Sequence, residues 1–380
     1  MTRVPWHRVF HPLSGADPLT LLRLLRHGSL TPSGWARYAV ALACAGTRLP
    51  FTLAEAAARP LLPEPEPPVF IVGHPRSGTT HLHNLMAASG AFATVPPVLA
   101  GMPWEARGLA RVMRPFIDMY LPQTRLIDRV RLGPDVPTED EIALANLCDL
   151  SHLHALYLPR RFEALHREGL LLEGVAPARV AARGRALRSY ARAVARPRRG
   201  PLLLKNPAYT GQLAWLLALF PGARVVHIHR DPEAVFASTR RATRRALEAL
   251  AMQDWDAREV DRAILGTYPA LARALLRDAR GLPPGRLASL SYEALVADPM
   301  GELAALWARL DLPGGDAALG RMAGYSRSVR DYEPEGHALD EAERRLVRRR
   351  WGPSAAGLRA LDGDRARSLA GRRLAGSRTA

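Results

Sequence analysis

The chain has 380 residues, two cysteines and a formal net charge of +17. That length holds one large domain or two small ones with ample core. Two cysteines (Cys44 and Cys148) exclude a disulfide scaffold and point to reduced surroundings. There is no run of about 18 apolar residues to span a membrane, and the N-terminal stretch MTRVPWHRVFHPLSG lacks the apolar centre of a signal peptide, so a cytoplasmic location is expected.

Residues 1–66 read as a helical N-terminal extension, because Leu19–Leu25, Trp35–Leu42 and Phe51–Ala58 carry apolar positions at helical spacing. The proline-rich run from Pro60 to Pro68 then reads as a stiff linker, and the α/β domain is expected to begin at 67. Val69–Val72 is a short β-branched run between prolines and a glycine, the pattern of a buried parallel strand. Gly73-His74-Pro75-Arg76-Ser77-Gly78 follows as a tight turn. A helix then opens at Thr79-Thr80, with Leu82, Leu85 and Met86 on one face. Strand, glycine-bearing loop and helix start make an anion site, since free N–H groups and the helix dipole converge there. The spacing Gly73-x4-Gly78 fits the P-loop pattern except that Thr79 stands where an NTPase carries its lysine; a basic side chain appears instead at Arg76.

From Ala91 to Arg131 the signals are loops and helices without a strand. Thr138 reads as an N-cap, with Glu139, Asp140 and Glu141 in the first turn and Glu141 completing a capping box. The competing reading makes one of these carboxylates a general base for a hydroxyl nucleophile. Pro177–Pro201 holds eight arginines and no acid. It reads as a solvated helix face or as an attraction to an anionic surface or substrate. No zinc-finger spacing and no aromatic-plus-basic strand is present, so no nucleic-acid partner is expected.

Leu202–Pro207 is a second buried strand that ends at Lys205, the one lysine among 53 basic residues. A compact ammonium suits the close approach of a single oxygen. Arg224–His229 is a third strand, followed by Asp231 as N-cap and Pro232 at the first helical position. Arg230 at the strand end and Ser238 two turns along the helix form a second phosphate-sized site. Two such sites imply a ligand with phosphates at two separated positions. His81 and His83 point to different helix faces and His227 and His229 read as structural, so no metal site is expected.

The loop HPRSGTT (His74–Thr80) and the run RVVHIHRDPEAVFAST (Arg224–Thr239) resemble the two signature motifs of the sulfotransferase family. The stretch Ser291–Pro299 resembles the family's downstream YEdL…DP segment. The PTEDE of Pro137–Glu141 and the run from Gly324 to Trp351 resemble a bacterial branch akin to the membrane-type and tyrosylprotein-like enzymes. The resemblance spans about residues 68–352. The run from 353 to 380, rich in Arg, Ala, Gly and Ser, reads as a flexible tail. The resemblance implies a P-loop-like three-layer α/β fold with a central parallel sheet and helical insertions.

It also implies the co-substrate 3′-phosphoadenosine 5′-phosphosulfate. His74, Pro75, Arg76, Ser77, Gly78, Thr79 and Thr80 would hold the 5′-phosphosulfate, Arg230 and Ser238 the 3′-phosphate, and Tyr292 would lie near the adenine. Sulfonate would pass to a hydroxyl or amine of a small-molecule, carbohydrate or lipid acceptor. Positioning and charge stabilisation would carry the reaction, with Arg76 and Lys205 on the leaving group and no metal required. The cytosolic branch reads like KTH where this chain has Lys205-Asn206-Pro207, and proline is no base. The base is therefore sought in Glu139 or Glu141, then Glu105, His81 and His337. Two alternatives stay open at this point: a P-loop kinase using ATP, and a catalytically inactive nucleotide-binding relative.

Overall fold

A computed structural model describes residues 11–128, 130–195, 200–329 and 339–376. Its centre is a parallel sheet of β1 (Val69–Val72), β2 (Leu203–Lys205), β3 (Arg224–His229) and β4 (Leu287–Ser291) in the order β2-β1-β3-β4. The three strands expected from sequence are present. β4 is additional: its Leu-Ala-Ser-Leu-Ser lacks the β-branched residues that mark the other strands. Side chains alternate between two cores. Phe70, Val72, Leu204 and Val225 enter a large cluster on one face, whereas Val69, Ile71, Leu203, Val226 and Ile228 enter a smaller one on the other. Strands buried on both faces need apolar residues at every position, which is why the sequence shows continuous apolar runs there.

In chain order the helices that matter are α1 (Pro18–Leu25), α2 (Pro32–Ala58), α3 (Thr79–Ala88), α4 (Leu109–Tyr120), α5 (Glu141–Leu147), α6 (Pro177–Val194), α7 (Pro232–Leu250), α8 (Ala257–Ala279), α9 (Tyr292–Ala297), α10 (Pro299–Leu310), α11 (Gly315–Ser328) and α12 (Glu341–Gly376). Helices α3, α10 and α11 cover the smaller core through Leu82, Leu85, Met86, Leu306 and Met322. The rest of the chain builds the larger one. The architecture is a three-layer α/β fold with a parallel sheet.

Two expected boundaries do not divide the fold. Leu21, Leu24, Tyr38 and Ala45 of the N-terminal helices share one core with Phe70 and Val72, so the first segment is part of the domain. At the other end α12 runs through Gly352 and Pro353 where a loose tail was expected. Trp351 stacks on Tyr268 at 4.3 Å and donates to the carbonyl of Leu265 at 2.9 Å. Ala355 and Leu358 follow it into the core. Arginine, alanine and leucine are strong helix formers, and burial of one face settles the state of the segment.

The capping box at Thr138 is absent. Helix α5 starts two residues later than expected, at Glu141, and the Thr138 amide instead bonds the carbonyl of Val95 at 2.8 Å. Glu141 turns into the core. There it accepts from Arg183 of α6 at 2.8 Å, from Asn206 at 2.6 Å and from Ser151 at 2.6 Å. Both members of the Glu141–Arg183 pair are fully buried. Thus the arginine-rich helix is not wholly a solvated face. Burial alone would raise the Glu141 carboxyl, but Arg183 and His152 reverse this and hold it well below its ordinary range.

Arg183→Leu should lower unfolding stability by about 3–5 kcal/mol, because it strands a buried carboxylate. Arg183→Met combined with Glu141→Leu should cost much less, as read from urea midpoints. The lowered carboxyl also sets a sign: the pair's contribution is complete above about pH 4–5, the unfolded range of a glutamate, and is lost as pH falls further.

Candidate active site

The loops after all four strands open on the same, C-terminal edge of the sheet. The strand order reverses between β1 and β3, and ligands of open parallel sheets bind in the crevice beyond such a point. The loop after β1 is shaped by two glycines. A Cβ on Gly73 (φ 155°) would lie 2.3 Å from the carbonyl oxygen of Ile228, and one on Gly78 (φ 97°) would lie 2.3 Å from the ring of Tyr292. Gly78 is also the N-cap of α3, whose first-turn amides have no acceptor inside the helix. Arg76 itself takes a left-handed backbone (φ 74°), rare for a side chain of that size and frequent at functional sites.

Several loop residues named from sequence serve the loop's shape. The buried Ser77 donates its hydroxyl to the carbonyls of His74 (2.8 Å) and Ile228 (3.0 Å), and its amide bonds His74 O at 3.0 Å. Both donors are therefore engaged within the fold, and Ser77 shapes the loop here. Pro75 contributes its carbonyl to Thr239 (3.2 Å). His74 is buried against Tyr268 and Trp351, and burial pushes its pKa down to about 4, so it is neutral near pH 7. Thr79 is buried, and Gly73 N donates to Thr210 at 2.8 Å.

The cations stand around this loop. Arg76 Nε donates to Ser238 Oγ at 2.9 Å and its Nη1 to Asp128 at 2.5 Å. The two expected anion sites thus touch through Arg76 and Ser238. Arg230 lies over the ring of Tyr292, 4.4 Å from its centre. Arg125 donates to Thr80 Oγ1 at 2.9 Å. At the end of β2, Lys205 Nζ meets Glu139 Oε2 at 2.7 Å. Burial lowers the Lys205 pKa, with Glu139 opposing and Arg125 adding to the fall. Sequence reasoning missed Arg125 and Asp128. They belong to a short turn (Arg125 N to Val130 O, 2.9 Å) that reaches the loop only through the fold, and no local motif marks them.

The alternative bases separate clearly. Glu139 lies beside Lys205 and keeps some exposure (18 %), as a proton acceptor must. Glu141 is locked in its buried pair, and Glu105 is buried against Arg48 (2.6 Å) and Thr52; neither faces the site, which corrects both candidates. His81 is half-buried with its ring centre 6.2 Å from that of Tyr292, and burial lowers its pKa. His337 lies outside the described residues. His227 bonds Ser289 (3.0 Å) and His229 bonds Asp362 (2.7 Å), the structural roles expected of them. No group of three or more His, Cys, Asp or Glu that could hold a metal occurs among the described residues, and no helix among them is long and apolar enough to cross a membrane.

What stands here is a three-layer α/β protein whose glycine-bearing loop, strand-end arginine and lysine share one edge of a parallel sheet. A model of the sulfotransferase family matches residues 67–316. The chain belongs to that family of transferases. It is 30% identical over 287 residues to the omega-hydroxy-beta-dihydromenaquinone-9 sulfotransferase Stf3 of Mycobacterium bovis and, equally, of Mycobacterium tuberculosis, covering 76% of this chain and 74% of theirs. Among solved structures it is similar in fold to sulfotransferase STF9 from Mycobacterium avium (TM-score 0.62, 18% identity, 88% of each chain). Sulfotransferase STF1 from M. tuberculosis H37Rv is also similar (TM-score 0.56, 19% identity, 87% of this chain and 90% of that one).

Burial pushes the Asp140 carboxyl up to about 7, opposed by the hydroxyl of Tyr209 and reinforced by Glu141 and Glu139. A folded pKa above the unfolded one gives a contribution that is full below about pH 4 and is lost as pH rises to about 7. Asp140→Asn keeps an acceptor for Tyr209 and has no proton to lose. It should therefore gain on the order of a few kcal/mol over the native chain at pH 8 relative to pH 5, measured by urea unfolding at both values.

Proposed function

We propose that this sulfotransferase takes its sulfonate from 3′-phosphoadenosine 5′-phosphosulfate and passes it to the hydroxyl, or amine, of a small acceptor, of which a lipid-type alcohol is favoured. The observation that carries the donor assignment is the contact between Arg76 and Ser238 at 2.9 Å, which joins the loop after β1 to the site after β3. A ligand with phosphates at two positions matches two adjoining cationic sites. The residues fit such a donor: the absence of a Cβ at Gly78 lets Tyr292 seat its ring against the loop, and Arg230 covers that ring. In this reading the first-turn amides, Arg76 and the hydroxyls of Thr79 and Thr80 hold the 5′-phosphosulfate. Arg230 and Ser238 hold the 3′-phosphate, and Tyr292 lies by the adenine. His74, Pro75 and Ser77 shape the loop.

The donor, when bound, supplies a sulfur–oxygen bond with a phosphate as leaving group. Lys205 presents a desolvated ammonium to the oxygen on which charge grows, and fixed charge in a dry site needs no reorganisation as the reaction proceeds. Glu139 accepts the proton of the acceptor hydroxyl. With no substrate in place these two neutralise one another at 2.7 Å, so each is held where it will act. The sulfonate carries less charge than a phosphoryl group. Arg76, Arg125 and Lys205 together balance it, and the reading requires no divalent metal. The lipid-type alcohol is supported by the Stf3 relatives, whose names describe a hydroxylated menaquinone as their acceptor.

Calorimetric titration with 3′,5′-bisphosphoadenosine should show metal-independent binding, with ATP–magnesium weak; the reverse result would exclude this donor. Arg230→Ala should weaken the bisphosphate by roughly 1.5–3 kcal/mol, the scale of a hydrogen bond to a charged group, and leave adenosine 5′-phosphosulfate almost unaffected. Glu139→Gln should lower kcat by about 10²–10⁴-fold with little change in donor affinity, and should lower the melting temperature modestly because the buried Lys205 loses its charge partner. Unaltered turnover in that variant would remove Glu139 as the base.

A further inference from the structure

Helix α2 is amphipathic in an unusual sense. Its inner face is fixed to the fold: Tyr38, Ala41 and Ala45 join the main core, and Arg48 is buried against Glu105 and the carbonyls of Ser14 (2.8 Å) and Ala16 (2.9 Å). Its outer face is apolar. Trp35, Leu42, Leu49 and Leu53 follow one another at steps of seven and four residues and are 48, 40, 38 and 61 % exposed. Ala39 and Gly46 fill the gaps, so the stripe continues for about 27 Å at 1.5 Å per residue. The three charged residues of the helix, Arg37, Arg48 and Glu55, are all turned inward or half-buried, and none of its exposed positions is charged. An exposed surface helix ordinarily carries its charges outward; a long apolar face left outside marks an interaction surface.

The apolar surface continues into the neighbouring helices. On α1, which packs on α2, Leu19 and Leu22 are exposed. Glu55 of α2 accepts from the amides of Arg107 (3.0 Å) and Gly108 (2.5 Å) at the entry to α4. That helix exposes Val112, Phe116 and Met119 at 76, 54 and 60 %, again on one side. Exposed arginines stand beside it: Arg23 on α1 and Arg107 before α4, with Arg111 on α4 donating to the carbonyl of Ala106 at 3.1 Å; Arg26, just past α1, is held by Asp149.

We propose that this face, formed by α2 with α1 and α4, docks on the surface of an anionic lipid bilayer. Apolar side chains enter the headgroup boundary while arginines beside them meet lipid phosphates, the arrangement of an interfacial helix. Charge complementarity favours lipid over a second copy of the chain. A two-fold interface would press like arginines together on chains that each carry +17. The positions beside the stripe are Ala36, Ala43, Pro50 and Ala54, which lack the paired charges that set a coiled-coil partner. No described helix is suited to cross the membrane, so the chain lies on the bilayer surface. The proposal rests on surface chemistry alone, independent of the donor reading.

The test is sedimentation of the full chain with vesicles of phosphatidylglycerol and phosphatidylcholine, against vesicles of phosphatidylcholine alone. Binding to the anionic vesicles, reduced by salt, is expected. The triple variant Leu42→Ser, Leu49→Ser, Leu53→Ser should bind about tenfold less. Its far-ultraviolet dichroism and urea midpoint should match the native chain, because the three side chains are exposed. Arg23→Gln with Arg107→Gln should bind less to anionic vesicles and lose much of the salt dependence. Three outcomes would overturn the proposal: a native chain left in the supernatant with both vesicle types, a serine variant that sediments as well as the native chain, or a dimer by light scattering that the serine variant splits. Vesicle binding without bisphosphate binding would count against the donor reading only.

Discussion

The buried carboxylate of Glu141 fixes the geometry around it. It lies two residues after Glu139, and its partner Asn206 lies one residue after Lys205. Arg183 brings the third element, α6, and spends a further N–H on the carbonyl of Leu150 at 2.8 Å. A buried ion pair adds little net stability over an apolar pair of the same volume, because two charges must leave water. What it gives here is register. One wrong turn in the segment before α5, or a slip of β2 by one residue, would leave a charge unpaired in the core. With Glu141 turned inward and Asn206 holding it, Glu139 and Lys205 face one another at the sheet edge at 2.7 Å.

The same logic governs the cations of the loop. Arg76 is held by Asp128 and Ser238, Arg125 by Thr80, and Lys205 by Glu139 before any anion arrives. In the reading proposed above an incoming dianion replaces these partners, and side chains already held in place need little reordering, so less conformational entropy opposes binding. Asp128 also stands between two of these cations, 2.5 Å from Arg76 and 3.8 Å from Arg125. Burial alone would raise the Asp128 carboxyl, but Arg125 and Arg76 overcome this and hold it below its ordinary range, which reflects how positive that space is.

The half of the site made by local sequence was legible. A strand, six residues of loop and a helix start are contiguous, so Gly73, Arg76, Gly78 and Thr79 could be placed from their order alone; the same holds for Arg230, Asp231 and Ser238 on β3 and α7. Residues whose position depends on remote partners were not legible. Glu141 looked like a capping residue because capping depends on three neighbours, yet its real partners are 42 and 65 positions away. Arg125 and Asp128 sit in a turn without a motif. The run past Gly352 looked unordered because arginine, alanine, glycine and serine dominate it, whereas Trp351, Ala355 and Leu358 at helical spacing carry its first turns into the core. β4 was missed because alanine and serine are poor strand signals and only pairing with β3 makes the strand.

Helix α4 links the turn that carries Arg125 and Asp128 to the segment that carries Glu139. It begins at the amides that Glu55 of α2 holds, and the chain that leaves it turns at once to place Arg125 on Thr80 and Asp128 on Arg76. Arg114 on the helix reaches Asp135 at 2.6 Å and Asp118 at 3.1 Å, which ties the helix to the segment leading into Glu139. The exposed Val112, Phe116 and Met119 lie on this helix, between the turn that reaches the loop after β1 and the segment that leads to Glu139. Helix α4 thus carries an apolar outer face and adjoins, through the turn that follows it, the charged loop after β1.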